Sequence, residues 1–266
     1  MPTKQGKSPS EYYKNDLTID QAGNTGIDAT TRVVQDGAGQ NTSISLSDDV
    51  LKVQPTSDGD DSTGVFGVLS KGGSSILKVD TTNSKVLVGV SQVTANTQYQ
   101  RFSVVNHTPA TNTHYPMGLG NTDFASTGLT EDNALGTGTD PATSLDISAA
   151  TSESNAWVHF YWYLPDAITL DSAIVLSGGS SATDSALNFH IMSYTLDTSS
   201  NHGDLSSGAV VADSSTTSGI DDNAIKTTSL TIQTADIAAG KVLVATYESD
   251  RTDIISSQMI VKYHIQ

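Results

Sequence analysis

The stretch that decides the fold, residues 77–88, reads LKVDTTNSKVLV. Two short runs of strand-forming residues flank a polar turn that contains Asn83, and the first run ends in Asp80. Residues 17–27, LTIDQAGNTGI, repeat the same order of strand, aspartate, asparagine-containing turn and strand. Such a unit is apolar on one face and too thin to bury that face alone, so it usually packs on neighbouring units or on other chains. The pattern therefore favours an elongated, oligomeric β-structure.

The composition favours strands and turns over helices. Serine and threonine together account for 69 of the 266 residues, and aspartate outnumbers glutamate by 25 to 4. Glutamate favours helices, whereas Asp, Ser, Thr, Gly and Asn favour turns and caps. No window of about twelve residues has a convincing helical period, so the sequence predicts an all-β protein with many tight loops.

Charge and cysteine content exclude several classes of protein. The chain has no cysteine, which excludes disulfides, thiolate metal ligands and a cysteine nucleophile. The net charge is −16, and residues 115–266 carry 18 acidic but only 4 basic side chains. Because an acidic surface repels phosphate backbones, we expect no nucleic-acid partner. No apolar run suits a membrane span or a secretory signal. We therefore expect the protein to be made in a cytoplasm and not to insert into a membrane.

The chain divides into four predicted parts. Residues 1–14 form a basic arm, and residues 15–105 form a series of short strands. Residues 106–144 are a polar linker or a set of loops, and residues 145–266 contain eight candidate strands with clear alternation in places. The prediction is an all-β fold in which a trimeric, fibre-like segment of short strands precedes a C-terminal jelly-roll or β-sandwich domain.

Residues 15–105 have strands too short, and too few aromatic side chains, for an independent core. A homotrimer wound around a common axis would let each chain supply one apolar face. We expect the inward-pointing residues of this trimer core to be Ile19, Val33, Leu46, Val53, Leu77, Val79, Val86 and Val88.

The N-terminal arm combines positive charge with aromatic side chains. Lys4, Lys7 and Lys14 would contact an acidic partner protein, and Tyr12 and Tyr13 would serve as apolar anchors. The alternative is a passive tail, because terminal segments of this composition are often poorly ordered.

The densest aromatic segment, residues 157–163, reads WVHFYWY. We predict a strand over residues 156–164, so that alternate side chains lie on opposite faces. One face would carry Trp157, His159, Tyr161 and Tyr163, and the other Val158, Phe160, Trp162 and Leu164. One of these faces should belong to the core, while the other would pack against a neighbouring subunit or stack on a glycan.

Motifs for catalysis and cofactor binding are absent from the sequence. There is no nucleophile elbow or phosphate-binding loop, and the six histidines lack metal-ligand spacing. We expect His190 and His264 at solvent-facing strand positions, and the acidic stretches 58–61 and 221–223 as solvated turns rather than Ca²⁺ sites. The prediction is a protein without catalytic residues, metal or cofactor, with a polysaccharide-degrading enzyme as the minor alternative.

Three stretches are similar to virion proteins. Residues 15–28 and 79–90 resemble the repeating strand-turn units in fibre and appendage proteins of tailed bacteriophages, marine ones especially, and residues 188–205 resemble a terminal module of such proteins. The resemblance implies a non-enzymatic, homotrimeric protein on the virion surface, made in the host cytoplasm and anchored by its N-terminus to capsid or tail proteins. Capsid decoration, spike and tail appendage stay open. The alternative is a tail-fibre tip that binds a host surface glycan.

Overall fold

A computed structural model describes residues 16–19, 26–55, 61–91, 93–120, 134–147, 157–199 and 203–266. Every named element in these residues is a β-strand, and the strands form two small sheets and one large sheet. The chain divides into two compact units, Met1–Ala95 and Asn96–Gln266. The predicted all-β class is therefore confirmed.

The first small sheet is an antiparallel meander in chain order. Its strands are β1 (Leu17–Ile19), β2 (Arg32–Asp36), β3 (Asn41–Leu46) and β4 (Leu51–Val53). A tight turn joins β2 to β3, and Gly39 adopts a left-handed φ of 82° there, which a side chain would disfavour. The strand predicted at Ile27 is not formed, since β2 begins only at Arg32.

The second small sheet is also a meander of four strands in chain order. Its strands are β5 (Phe66–Leu69), β6 (Ser75–Asp80), β7 (Lys85–Val88) and β8 (Val93–Thr94). After β6, the carboxylate of Asp80 accepts hydrogen bonds from the backbone N (2.9 Å) and side-chain Nδ2 (2.8 Å) of Asn83. These bonds hold the pKa of Asp80 below its usual range. The strand-turn-strand unit predicted over residues 77–88 is therefore confirmed.

The second unit contains one large, nearly closed antiparallel sheet. Its twelve strands among the described residues are β9 (Thr97–His107), β10 (Tyr115–Pro116), β11 (Gly118–Leu119), β12 (Trp162–Tyr163), β13 (Ile168–Gly179), β14 (Ser185–Leu196), β15 (Leu205–Asp213), β16 (Thr217–Ile220), β17 (Lys226–Ile232), β18 (Asp236–Ile237), β19 (Lys241–Ser249) and β20 (Ile255–Ile265). We call β9, β11, β13, β18 and β20 the front half and β10, β12, β14, β15, β16 and β19 the back half. Strand β17 pairs with β13 and with β15, so it joins the halves.

The core lies between the two halves. In the front half, Val175 pairs with Met259, which pairs in turn with Phe102, and all three are fully buried. In the back half, Phe189 pairs with Tyr247. Because alternate residues of a strand point to opposite faces, each strand contributes every second side chain to this core.

The back half is buried on its outer face as well, because two segments cover it. We call residues 108–114 and 134–147 the cover. They are joined to each other where the backbone N of Leu135 donates to the His114 carbonyl oxygen (2.7 Å). They are joined to the sheet where the Tyr194 hydroxyl donates to the Ala142 carbonyl oxygen (2.7 Å). This third layer explains why consecutive residues of β14 and β19 are buried.

The predicted boundaries at residues 105 and 145 are wrong. Strand β9 was assigned to the fibre-like segment of residues 15–105, but it pairs with β20 along most of its length and belongs to the large sheet. The stretch 106–144 was predicted as a linker, but Tyr115, Met117 and Leu135 are buried in the core. The apolar run of residues 115–119 is only five residues long, and Leu135 stands among polar residues, so neither displays the alternation of a long strand.

Candidate functional site

The second small sheet has one apolar face, which we call the β5–β8 face. Its rows follow from the register: Val79 pairs with Phe66 and Val86, and Leu77 pairs with Val68 and Val88. Directly paired residues of antiparallel strands share a face. The β5–β8 face therefore consists of Phe66, Val68, Leu77, Val79, Val86 and Val88. Four of these six side chains are between 39% and 44% exposed, so nothing in the chain's described residues fully covers the face.

The opposite face of this sheet is more polar. Lys78 pairs with Gly67 and Leu87, and Asp80 pairs with Lys85. Ile76 also belongs to this face by alternation along β6, and it is 53% exposed. The sheet is thus a single amphipathic layer.

The first small sheet has a similar face, which we call the β1–β4 face. Ile19 pairs with Val34, and Ile44 pairs with Val53. Arg32 pairs with Leu46, and Arg32 and Val34 are two residues apart in β2. Alternation therefore places Leu46 on the same side of the sheet as Val34. The β1–β4 face consists of Ile19, Val34, Ile44, Leu46, Leu51 and Val53. Only Val34 among them is buried, at 8% exposed, whereas Leu51 is 67% exposed.

The structure brings seven of the eight predicted trimer-core residues onto these two faces. Ile19, Leu46 and Val53 lie on the β1–β4 face, and the other four lie on the β5–β8 face. Val33 does not share a face with them, because it pairs with Ser45 on the opposite side, and Val34 lies on the β1–β4 face instead. The alternation Phe66-Gly-Val68 in the sequence could have identified the two members of β5. That these faces meet in a trimer stays a prediction.

The predicted attachment residues Lys4, Lys7, Tyr12, Tyr13 and Lys14 lie outside the described residues. Their docking on a particle protein stays a prediction. Most of the acidic stretch 58–61 also lies outside them. In the stretch 221–223, the Asp221 carboxylate accepts bonds from the backbone N of Asn223 (2.9 Å) and Ala224 (3.0 Å), as in a solvated turn.

The continuous strand predicted over residues 156–164 is wrong. The backbone N of Phe160 donates to the Trp157 carbonyl oxygen (2.9 Å), which makes a tight turn, and only Trp162 and Tyr163 form strand β12. Trp157, Phe160 and Leu164 are all buried, so they follow the spacing of a turn rather than strict alternation.

The four aromatic-segment residues predicted to share a contact face therefore do not share one. Trp157 is 1% exposed and packs against Phe160 in the core. The hydroxyl of the half-buried Tyr161 donates to the Gly203 carbonyl oxygen (2.9 Å), and burial raises the pKa of this phenol. His159 and Tyr163 are exposed, so of the four only these two present most of a ring to solvent. Their contact with a glycan or subunit stays a prediction.

A buried polar cluster lies between the cover and the back half. The imidazole rings of His114 and His190 meet edge to face with centroids 5.1 Å apart. His114 Nε2 donates to the Gly138 carbonyl oxygen (2.8 Å) and lies 3.9 Å from Glu248 Oε2. His190 Nε2 lies 3.7 Å from Asp140 Oδ1.

This cluster holds four buried polar atoms that have no hydrogen-bond partner among the described residues. They are His114 Nδ1, His190 Nδ1, Asn188 Oδ1 and Thr246 Oγ1. Burial lowers the pKa of His190, and neighbouring His114 acts in the same direction, while Asp140 and Asp213 oppose the shift. The expectation that His190 and His264 face solvent is wrong. His190 is buried by the cover, and His264 is buried beside Asp171, with His264 Nδ1 3.1 Å from Asp171 Oδ1.

A second buried cluster lies around His107. The Tyr247 hydroxyl bonds to His107 Nδ1, and Tyr115 packs edge to face on the same imidazole at 4.7 Å. Burial lowers the pKa of His107 from 6.5 to about 4 and holds the pKa of Tyr247 well above its usual value. Both groups are therefore neutral at pH 7.

Two surface depressions mark the second unit. A groove of about 460 Å³ opens at the ends of β9, β13 and β20, and Leu176, Ile225 and Ile254 are exposed along it. A smaller pocket of about 260 Å³ is polar and is lined in part by Asn188 and Glu248. The groove offers only apolar and hydroxyl or amide groups, whereas the pocket offers amide, hydroxyl and carboxylate groups.

Within the described ranges, no group of three or more His, Asp or Glu side chains is placed to hold a metal ion. Among the same residues, no helix is long and apolar enough to cross a membrane. Comparisons of the chain with protein-family models, with curated proteins and with solved structures find no match.

Proposed function

We propose that this chain is the subunit of a homotrimeric fibre or spike on the surface of a tailed-bacteriophage virion. The observation that carries the proposal is the pair of uncovered apolar faces on the single-layer sheets of the first unit. The resemblance of residues 15–28, 79–90 and 188–205 to phage fibre and appendage proteins supports the virion part. The proposed form of the second unit is a jelly-roll or sandwich domain, in agreement with its large, nearly closed sheet.

The energetics favour association through the β5–β8 face. Full burial of one Val, Leu or Phe side chain stabilises by about 1.5–3 kcal/mol relative to full exposure. Phe66, Val68, Val86 and Val88 are each about two-fifths exposed, so the four together leave a few kcal/mol per chain unrealised in a monomer. Three copies around one axis would let each face pack against both neighbours.

In this function the chain acts as a structural and display protein. The basic arm with Lys4, Lys7, Lys14, Tyr12 and Tyr13 anchors it to acidic capsid or tail proteins, and it is made in the host cytoplasm before assembly. Deleting residues 1–14 should abolish incorporation into particles while the trimer persists. Undiminished incorporation would show that the arm is a passive tail.

The assembly part is tested by the mass of the full chain in solution. We expect sedimentation equilibrium to give three times the chain mass of 27.8 kDa. Leu77→Asp places a charge on the apolar face and should yield monomers. Ile76→Asp is the matched control, because Ile76 is a neighbouring exposed apolar residue on the opposite face, and it should leave the trimer intact. A monomeric parent, or a Leu77→Asp variant that remains trimeric, would overturn the proposal.

The second candidate is a glycan-binding tip. The specific observation that supports it is the polar pocket lined by Asn112, Asn188, Glu248 and Asp250, since amide and carboxylate groups suit sugar hydroxyls. Binding on a glycan array that Asn188→Ala and Asp250→Ala abolish, while Tyr99→Ala retains it, would favour this candidate. Tyr99 is a suitable control because it is 66% exposed and does not line the pocket.

A further inference from the structure

The cover and the back half are in contact through two polar side chains, His114 and His190, although apolar side chains lie on the same face. His190 is 4% exposed and His114 is fully buried, and each comes from a different side of the contact. Around them, the outer face of the back half carries the apolar side chains Met192 and Val244, which pair with each other across β14 and β19. The two imidazoles therefore stand at the border between this apolar pair and the polar residues Asn188, Thr246 and Glu248 of the same face.

The contact offers no acceptor for a second N–H on His190. A carbonyl oxygen can only accept, so the bond to Gly138 uses a hydrogen on Nε2 of His114, and Nδ1 of each ring has no partner among the described residues. A proton added to His190 would create a second N–H on a ring whose Nδ1 has no acceptor among the described residues. An unsatisfied buried donor is costly, and more so when it is charged.

We propose that residues 108–114 and 134–147 form an acid-sensitive cover, which a proton on His190 loosens from the outer face of β14 and β19. In the loosened state the imidazolium is hydrated, so acid favours that state over the closed one. The consequence is exposure of Met192, Tyr194 and Val244, which are fully buried or nearly so in the closed structure.

The charged groups that face the pair act in both directions. Two carboxylates attract a proton to His190. One is Asp140 in the cover, and the other is Asp213 of β15, which is paired with His190 of β14. Glu248 in β19 faces His114, and its side chain is only 13% exposed. Asp140 is the acidic partner nearest to His190, but its side chain is 63% exposed, so water screens its attraction. The desolvation of His190 and the adjacent His114 ring therefore outweigh these carboxylates.

Hydrogen exchange of the full chain tests the proposal region by region. The reporters are two backbone N–H groups that join the cover to the sheet: that of Asn112, which bonds to Ser249 in β19, and that of Leu145, which bonds to Leu205 in β15. Between about pH 7.5 and about pH 5, after correction for intrinsic exchange, protection of the cover should fall about tenfold or more. Strands β13 and β20 should keep their protection. The fall should begin near the pKa of a hydrated imidazole, about 6.5, above the pH at which NMR shows the His190 ring of the closed form to titrate.

Two variants separate the imidazole from general acid effects. His190→Gln retains a polar side chain that cannot take a proton, so its cover should be equally protected at both pH values. His264→Gln changes an equally buried histidine in the front half and should leave the opening as in the parent. The proposal is overturned if the parent cover keeps its protection, if β13 and β20 lose protection in parallel, or if His190→Gln opens as the parent does. Should His190→Gln fail to fold, the regional exchange of the parent and the His190 titration decide.

Discussion

Strands in both units alternate apolar and polar residues, but the two units differ in how far they bury the apolar side chains. In the first unit, strands of two to six residues form two meanders, and Val34 is the one buried apolar side chain among its described residues. In the second unit, strands of up to twelve residues close into one sheet with a continuous core. Long strands can cross a core and pair on both edges, whereas short meanders leave one face without a partner. The difference indicates that the second unit contains its own stabilising core, whereas the apolar faces of the first are the surfaces that the proposed trimer would bury.

The largest expected effect is on the folding of truncated chains, which tests whether the second unit is stable by itself. Residues 96–266 expressed alone should give a monomer with cooperative unfolding, because they contain the whole large sheet. Residues 145–266 should fail to fold, because they lack β9, which supplies the fully buried Phe102 and Val104 and pairs with β20. Circular dichroism during urea titration distinguishes the two fragments. Cooperative unfolding of residues 145–266 would restore the domain boundary predicted from the sequence.

The next effect concerns the core of the second unit. Trp157→Ala removes a ring that is 1% exposed and should cost about 3–5 kcal/mol of unfolding free energy. Trp162→Ala should cost less, since Trp162 is only half-buried where it packs on Phe102 and Tyr263. Val158→Ala, at a position 62% exposed, is the control and should be close to neutral. If Trp162→Ala proves the more costly variant, the turn at residues 157–160 is misplaced.

Between about pH 6.5 and 4, acid should affect the second unit selectively, since all six histidines lie in residues 96–266. Burial lowers the pKa of His107 from 6.5 to about 4, so between these values the unfolded chain binds a proton that the folded one does not. The contribution of His107 is therefore complete above pH 6.5 and decreases as the pH falls toward 4, by about 3 kcal/mol in total. His190 acts in the same direction.

Tryptophan fluorescence during urea unfolding isolates this effect, because both tryptophans lie in the second unit. His107→Gln keeps an amide that can either donate to or accept from the Tyr247 hydroxyl, and it should reduce the dependence of stability on pH between about 6.5 and 4. An unchanged dependence in this variant would assign the acid effect to other groups.

Sequence alone predicted the class of the fold and the apolar faces of the first unit. Those faces depend on local alternation and turn chemistry, which the stretch 77–88 displays openly. The error at Val33 shows the limit of this signal, because in the pair Val33-Val34 both residues are apolar and only the register identifies the inward one.

The errors in the second unit have a different cause. Asn188 and His190 alternate with apolar residues along β14, which is the pattern of a strand with one solvent-facing side, but a third layer covers that side. The cover itself is mostly polar, and the partners of Tyr115 and Leu135 are distant in the chain. His114 and His190 are 76 residues apart in the chain, so no local pattern could have predicted the contact between their rings.

The smallest expected effect is on the stability of a variant at the edge of the cover, where it contacts β15. Gly208 in β15 donates its backbone N–H to the Thr143 carbonyl oxygen (2.8 Å), and a Cβ there would lie 2.4 Å from Tyr194 Cε1 and 2.9 Å from Thr143 Cα. Gly208→Ala should therefore cost about 1–3 kcal/mol, because the cover must shift away from the sheet. Gly178→Ala is the matched control, since a Cβ at Gly178 in β13 meets nothing within 4 Å. Urea unfolding followed by fluorescence measures both variants. Equal stability of the two variants would mean that Tyr194 and Thr143 move aside without measurable cost, and that the cover is not closely packed on β15 at this edge.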